Sequence, residues 1–154
     1  MYNKTLVFDM DGTIADLYHV EHWLEGLRSE QVFPYVEAKP LCDMDTLNAL
    51  LHMLHMIGWR ICVTSWLAKG SSKEYAEKVR KAKKEWLDKY RFPYDELHFV
   101  QYGRTKADCT RHHGGYQILV DDVAKIRQGW TLGDTIDATQ NITKAIADLL
   151  FTEI

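Results

Sequence analysis

Two aspartates separated by one residue follow directly on a short apolar run near the start of the chain. Residues 6–8 (LVF) lead into Asp9 and Asp11, and Gly12 then lets the backbone turn. An unbroken apolar run is typical of a buried parallel strand, and open α/β sheets bind ligands just outside the carboxyl ends of their strands. Crowded carboxylates repel each other unless a cation lies between them, and their oxygens suit Mg²⁺. The spacing indicates a metal site, although a strand-end turn capped by Asp explains it equally well in isolation.

A second acidic pair repeats this design late in the chain. Residues 116–120 (YQILV) run directly into Asp121 and Asp122. Two adjacent acids at the end of a buried strand need a cation or hydrogen bonds, because a buried charge without a partner is costly. Thr64 and Ser65 follow another apolar run at 59–63. Taken alone, that hydroxyl pair is more typical of a helix cap.

Arg104 and Lys106 complete the set after a third predicted strand at 96–101. In a parallel sheet, all four groups of side chains emerge at one edge. Their order along the chain fits phosphoryl transfer, in which a carboxylate nucleophile divides hydrolysis into two easier steps. We predict that Asp9 attacks phosphorus, that Asp11 is the general acid and base, and that Lys106 neutralises charge on the phosphate.

The elements that must position these residues alternate between strands and helices. The apolar patterns predict strands at 6–8, 59–63, 96–101, 116–120 and 135–136, and helices at 15–29, 43–57, 73–91, 123–128 and 140–151, with a loop at 31–40. Such alternation indicates a parallel sheet with helices on both faces. We therefore predict an α/β fold, a Rossmann-like three-layer α/β/α sandwich with a mainly parallel five-stranded sheet.

The bulk composition narrows the classes of function. The chain has 154 residues, 46% of them apolar, which suits one domain over 1–154 with a substantial core. The formal net charge of −3 gives no global reason to expect nucleic acid as a partner. No signal-like leader or long apolar run is present, so we expect a cytoplasmic protein with no membrane contact, either a monomer or a homodimer. The basic segment from Lys69 to Arg91 is explained by a solvated helix face, or alternatively by a surface that steers polyanions.

These motifs resemble those of the haloacid dehalogenase superfamily. Motif I (D-x-D-G-T) matches residues 9–13, motif II (V-T-S) residues 63–65, motif III Lys106, and motif IV (L-V-D-D) residues 119–122. A closer similarity is to the 5'(3')-deoxyribonucleotidases, through the T-S pair, a K-x-x-W-x-x-K-Y helix at 83–90 and R-x-K at 104–106. Those enzymes remove phosphate from deoxynucleoside monophosphates with Mg²⁺.

The resemblance implies a role for each matching residue. The implied catalytic residues are Asp9, Asp11, Thr64 and Lys106. The implied substrate-binding residues are Ser65, Gly12, Thr13 and Arg104, and the implied ligands of Mg²⁺ are Asp9, Asp11, Asp121 and Asp122. The expected activity is a Mg²⁺-dependent phosphomonoester hydrolase that forms an aspartyl phosphate and acts on small phosphomonoesters such as nucleotides. The alternatives are a phosphatase on a nucleic-acid end, a phosphoprotein or a sugar phosphate, and a non-catalytic phosphate-binding domain.

The stretch between Thr13 and Trp59 is too short for a second full domain, since domains need at least roughly 50 residues. We therefore expect only a minimal helical cap, within about 15–45. Trp23, Phe33 and Tyr35 lie in this stretch and could stack on a base, although core packing would also explain aromatic residues there.

Overall fold

The computed structural model describes residues 3–153 and is built around a five-stranded sheet. The strands of the chain are β1 (Lys4–Phe8), β2 (Ala15–Asp16), β3 (Lys39–Pro40), β4 (Trp59–Trp66), β5 (Glu96–Val100), β6 (Tyr116–Asp121) and β7 (Thr135–Asp137). The large sheet has the order β5-β4-β1-β6-β7, and all its neighbouring strands are parallel. The short strands β2 and β3 form a separate antiparallel pair. This arrangement confirms the predicted Rossmann-like α/β fold.

Within residues 3–153, six α-helices cover the sheet and one of its edges. They are α1 (Trp23–Arg28), α2 (Phe33–Glu37), α3 (Met44–Met56), α4 (Lys73–Lys89), α5 (Ala124–Gln128) and α6 (Ile142–Glu153). Alternate residues of the central strand β1 point to opposite faces of the sheet. Leu6 and Phe8 lie in the core that includes buried residues of α3 and α6, whereas Val7 lies in a smaller core with Leu119 and Trp130. Burial on both faces explains why residues 6–8 of β1 are an unbroken apolar run. Within residues 3–153, no helix combines the length and apolar content that a membrane crossing requires.

Helix α4 begins with a cap that comes partly from a distant segment. The Oγ of Ser72 accepts a hydrogen bond from the backbone N–H of Tyr75, as an N-cap does. The carboxylate of Glu30 in turn accepts hydrogen bonds from the N–H and the hydroxyl of Ser72, each at 2.9 Å. The local sequence from Ser71 to Glu74 has the form of a capping box, but Glu30 fills the role of its acid. The contact attaches the segment after α1 to the start of α4.

The prediction of one helix over 15–29 was wrong. This stretch instead forms β2, a 3₁₀ turn at Leu17–His19 and the short helix α1. His22 has a left-handed backbone with a φ of 60°, which separates the 3₁₀ turn from α1. The buried side chain of Leu17 and the partly buried Leu27 belong to one cluster with residues of α4, so tertiary packing produced the helical spacing. The predicted loop at 31–40 was also wrong, because it contains α2 and β3.

Candidate active site

The register of the sheet brings three of the predicted site residues level with one another. Phe8, the last residue of β1, pairs with Val63 of β4 on one side and with Val120 of β6 on the other. The residues that follow these three are Asp9, Thr64 and Asp121. Their side chains therefore start from adjacent positions at the carboxyl edge of the sheet, where ligands of α/β proteins bind. The structure places Thr64 and Ser65 inside β4 rather than after it.

Asp9 is buried, and both of its carboxylate oxygens have a polar neighbour. The Nζ of Lys106 donates to Oδ1 of Asp9 at 2.6 Å and to Oδ2 of Asp121 at 3.2 Å. The hydroxyl of Thr13 lies 2.9 Å from Oδ2 of Asp9 and 3.2 Å from Oδ1 of Asp122, so it can donate to either. Burial favours the neutral form of Lys106, but Asp9 and Asp121 outweigh it and raise the pKa of this lysine. Lys106 is thus a fixed cation beside Asp9.

Three carboxylates converge at the same point. Asp9, Asp121 and Asp122 each present an oxygen atom, and these atoms lie within 4.8 Å of one another. Burial, followed by the neighbouring charge of Asp9, raises the pKa of Asp121. Burial and a hydrogen bond with Asp9 raise the pKa of Asp122 to about 7. A hard divalent cation takes such oxygen ligands and would relieve their repulsion, so this set of donors fits Mg²⁺.

Gly12 is required by this packing. Its φ of 82° lies in the left-handed region, which residues other than glycine rarely adopt. A Cβ atom at this position would lie 2.5 Å from Oδ2 of Asp122. Glycine therefore lets the backbone of motif I approach the third carboxylate.

Asp11 does not belong to the three-carboxylate cluster. Its Oδ2 accepts a hydrogen bond from the Nζ of Lys83 at 2.8 Å. The same Nζ donates to the hydroxyl of Ser65 at 2.7 Å and to the carbonyl oxygen of Trp66 at 2.8 Å, and Lys83 has no exposed surface. Burial raises the pKa of Asp11, and the charge of Lys83 offsets part of that rise. A second lysine–aspartate pair therefore stands beside the pair of Lys106 and Asp9.

The sequence contains a signal that Lys83 lies on the buried face of α4. The residue occurs in the K-x-x-W-x-x-K-Y segment and is spaced four residues after Val79 and three before Trp86, both of which are buried. Residues at these spacings share one helix face. A lysine on an apolar helix face needs a buried partner, because an unpaired buried charge is expensive. That argument would have indicated an interior acid for Lys83.

Thr64 carries a polar atom with no partner in the described part of the chain. Its side chain is fully buried, and Oγ1 has no hydrogen bond within residues 3–153. Buried polar atoms are nearly always satisfied, and exceptions occur at functional sites. The hydroxyl of the adjacent Ser65, by contrast, is occupied by Lys83. The hydroxyl of Thr64 therefore keeps unused hydrogen-bonding capacity at the level of Asp9.

A cleft of about 490 Å³ lies against Asp11, and its wall combines aromatic with aliphatic side chains. Two of the predicted stacking residues, Trp23 and Tyr35, line it together with Trp66. Phe33 does not line the cleft and instead packs on Gly26, where an added Cβ would lie 2.7 Å from its ring. The side chain of Arg104 is exposed, and it is the backbone oxygen of this residue that accepts a hydrogen bond from Trp66 Nε1 at 2.9 Å.

Comparison with known proteins identifies a fold and not a family. No known family profile and no curated protein sequence matches the chain. Among solved structures, the chain is similar to the D,D-heptose 1,7-bisphosphate phosphatase from Burkholderia thailandensis, with 13% identity and a TM-score of 0.56. The similarity covers 96% of this chain and 98% of that phosphatase. The resemblance to deoxyribonucleotidases thus stays a prediction from motifs, and the chain has the fold of a solved phosphatase over nearly its whole length.

Proposed function

We propose that the protein is a Mg²⁺-dependent phosphomonoesterase of the haloacid dehalogenase type and that nucleoside monophosphates are its preferred substrates. The observation that carries the proposal is the surroundings of Asp9. This carboxylate is bound by the buried cation of Lys106, converges with Asp121 and Asp122, and starts level with the unpartnered hydroxyl of Thr64. A domain that only bound phosphate would gain nothing from a second acid, Asp11, poised beside the first.

In the proposed reaction, Asp9 attacks the phosphorus atom of the monoester. The new bond joins a carboxylate oxygen to phosphorus while the bond from phosphorus to the leaving oxygen breaks, and Asp11 gives that oxygen its proton. Asp11 then removes a proton from water, whose oxygen attacks phosphorus and releases Asp9 and inorganic phosphate. Thr64 and Lys106 bind the phosphoryl oxygens as negative charge shifts among them. Bound among Asp9, Asp121 and Asp122, Mg²⁺ would add positive charge next to the same oxygens.

The raised pKa of Asp11 supports its role as the proton donor. A carboxyl group that keeps its proton nearer to neutral pH is a better general acid. Lys83 limits that rise and fixes the carboxylate at 2.8 Å, so Asp11 can also act as a base in the second step. We assign Lys83 as a positioning residue for Asp11.

The aromatic cleft supports a nucleotide over a sugar phosphate. Trp23 and Trp66 line this cleft together with Asp11, and a base can stack on aromatic side chains of this kind. The elements at 15–45, which we propose as the cap, leave the site open on one side. Since binding energy from remote groups is what raises discrimination between substrates, we expect broad specificity with a mild preference for nucleotides.

A screen of phosphate release tests the proposal. The purified protein is incubated with Mg²⁺ and with deoxynucleotides, ribonucleotides, sugar phosphates and p-nitrophenyl phosphate, beside an Asp9→Asn control. We expect turnover of several compounds with the highest kcat/KM among nucleotides, and none in the control. Release from sugar phosphates alone would refute the nucleotide assignment, and no release from any compound would refute the enzymatic one.

A further inference from the structure

Positive charge is concentrated in one segment of an otherwise acidic chain. Between Lys69 and Arg91 the sequence has nine Lys or Arg and four Asp or Glu. The whole chain has 19 and 22, so the remainder has ten basic and eighteen acidic residues. One of the nine, Lys83, is buried, but the other eight still outnumber the four acids. The net charge of −3 therefore hides a local excess of positive charge, and such regions attract polyanions.

A row of aromatic and cationic side chains leads from the candidate active site to this segment. The Nζ of Lys106 lies 5.3 Å from the ring centre of Trp66. The rings of Trp66 and Tyr102 are 5.1 Å apart, and the Nζ of Lys69 lies 6.0 Å from the ring of Tyr102. Tyr102 is 55% exposed, which leaves much of its ring open to a ligand.

The row ends at a second cleft, of about 740 Å³. Tyr102 and Lys69 line both this cleft and the first one, so the two adjoin at the row. Lys73 and Arg80 line only the second cleft; its one acidic residue, Glu77, is paired with Arg80 at 2.5 Å. Within residues 3–153, Lys69 and Lys73 are in no ion pair. Lys73 is also the first residue of α4, where the helix dipole disfavours a cation and a bound anion would compensate.

We propose that the site accepts the phosphorylated end of a single-stranded nucleic acid. The terminal phosphate contacts Asp9 and Lys106, and the following nucleotides stack along Trp66 and Tyr102. Their phosphodiester groups lie beside Lys69 and Lys73. Aromatic faces for the bases and cations for the backbone are the two features by which proteins bind single strands without sequence preference. The inference rests on the proposed function. It implies that a mononucleotide is the smallest substrate and that the natural substrate is the phosphorylated end of a longer strand.

The test compares each mononucleotide with an oligomer that carries its phosphate at the same end. The substrates are thymidine 5'- and 3'-monophosphate and pentathymidylates with a 5'- or a 3'-phosphate, and the readout is kcat/KM for phosphate release. For one of the two ends we expect the oligomer to exceed its mononucleotide about tenfold at about 50 mM salt, with the advantage shrinking at about 200 mM. A ratio of one or less at both ends overturns the proposal.

Variants identify the surface responsible. Lys73→Ala and Tyr102→Leu should each lower the ratio of oligomer to mononucleotide several-fold. Lys78→Ala is the matched control, because Lys78 is exposed on α4, lines neither cleft and carries the same charge. If Lys78→Ala lowers the ratio as much as Lys73→Ala, the basic segment attracts the oligomer without a defined path. The proposed groove, formed by Trp66, Tyr102, Lys69 and Lys73, is then wrong.

A binding measurement separates this inference from the proposed function. Should the protein release phosphate from none of the substrates, the enzymatic assignment fails, but the groove can still be tested by fluorescence anisotropy with a labelled, phosphorylated pentathymidylate. Binding that Lys73→Ala weakens and Lys78→Ala does not supports the groove. Absence of binding overturns it.

Discussion

Replacing Lys83 by methionine tests the buried network on which Asp11 depends. Methionine is similar in length but removes the ammonium group and all three hydrogen bonds, to Asp11, Ser65 and the carbonyl of Trp66. The side chain of Lys83 has no exposed surface and that of Asp11 is 17% exposed, so water cannot replace the lost donors well. We expect the variant to fold but to be clearly less stable.

The magnitude follows from what is left behind. Removing one partner of a buried ion pair destabilises proteins by about 3–5 kcal/mol, because the other charge stays buried. Asp11 can relieve part of this penalty by binding a proton, since its pKa is already raised. We therefore expect a loss of about 3 kcal/mol at neutral pH, which for a chain of this length lowers Tm by about 6–12 °C.

The pH dependence of this loss has a definite sign. Asp11 binds a proton more tightly in the folded than in the unfolded state, and without Lys83 the difference grows. A group of this kind stabilises the folded state below its unfolded pKa, and that contribution is lost as the pH rises through the folded pKa. The deficit of Lys83→Met relative to the wild type should thus shrink as the pH falls from neutral toward the unfolded pKa of the carboxyl group.

Urea unfolding of a double-mutant cycle provides the measurement. Lys83→Met is made alone and in an Asp11→Leu background. The double variant leaves neither charge unpaired, so the loss of unfolding free energy caused by Lys83→Met should be smaller in this background by about 1–3 kcal/mol. Lys84→Met, on the exposed side of the same helix, is the control and should leave stability nearly unchanged. An equal loss in both backgrounds, or a deficit that does not change with pH, would refute the reasoning.

Three further results are expected of the candidate site. Asp9→Asn should abolish phosphate release while Tm changes little, because an amide cannot attack phosphorus; a variant with substantial turnover would rule out the covalent mechanism. Chelation by EDTA should stop turnover and Mg²⁺ should restore it, whereas Asp121→Ala should need far more Mg²⁺ for the same rate; activity in excess EDTA would contradict the metal assignment. Trp23→Ala should raise KM for a nucleotide more than for p-nitrophenyl phosphate, and Phe33→Ala should not distinguish the two substrates; identical effects would remove Trp23 from base binding.

The positions of Asp9 and Asp121 could be predicted because local signals agreed. Each follows an apolar run that is buried on both sheet faces, and the end of such a run marks the edge of a parallel sheet. The register then follows from pairing of strands that are similar in length. Sequence and backbone geometry alone therefore bring these carboxylates to one edge of the sheet.

The surroundings of Asp11 could not be predicted in the same way. Its partner Lys83 is 72 residues away on a helix, and nothing in the local spacing says which acid that lysine meets. The segment from Leu17 to Tyr35 was assigned wrongly for a related reason. Its apolar side chains pack against buried residues of α4, so their spacing reflects tertiary packing and not the period of one continuous helix.

Because β1 lies between β4 and β6 in the sheet, the candidate site is completed only when distant parts of the chain come together. The contacts that form the candidate site join residues far apart in the chain: Lys106 and Asp9 are separated by 97 positions, and Thr13 and Asp122 by 109. Contacts of such high sequence separation form slowly, because the chain must close long loops before they stabilise it. A partly folded chain that lacks β6 would hold Asp9 without Asp121 or Asp122. Recovery of activity during refolding should therefore coincide with the last structural phase, and no active fragment ending before β6 is expected.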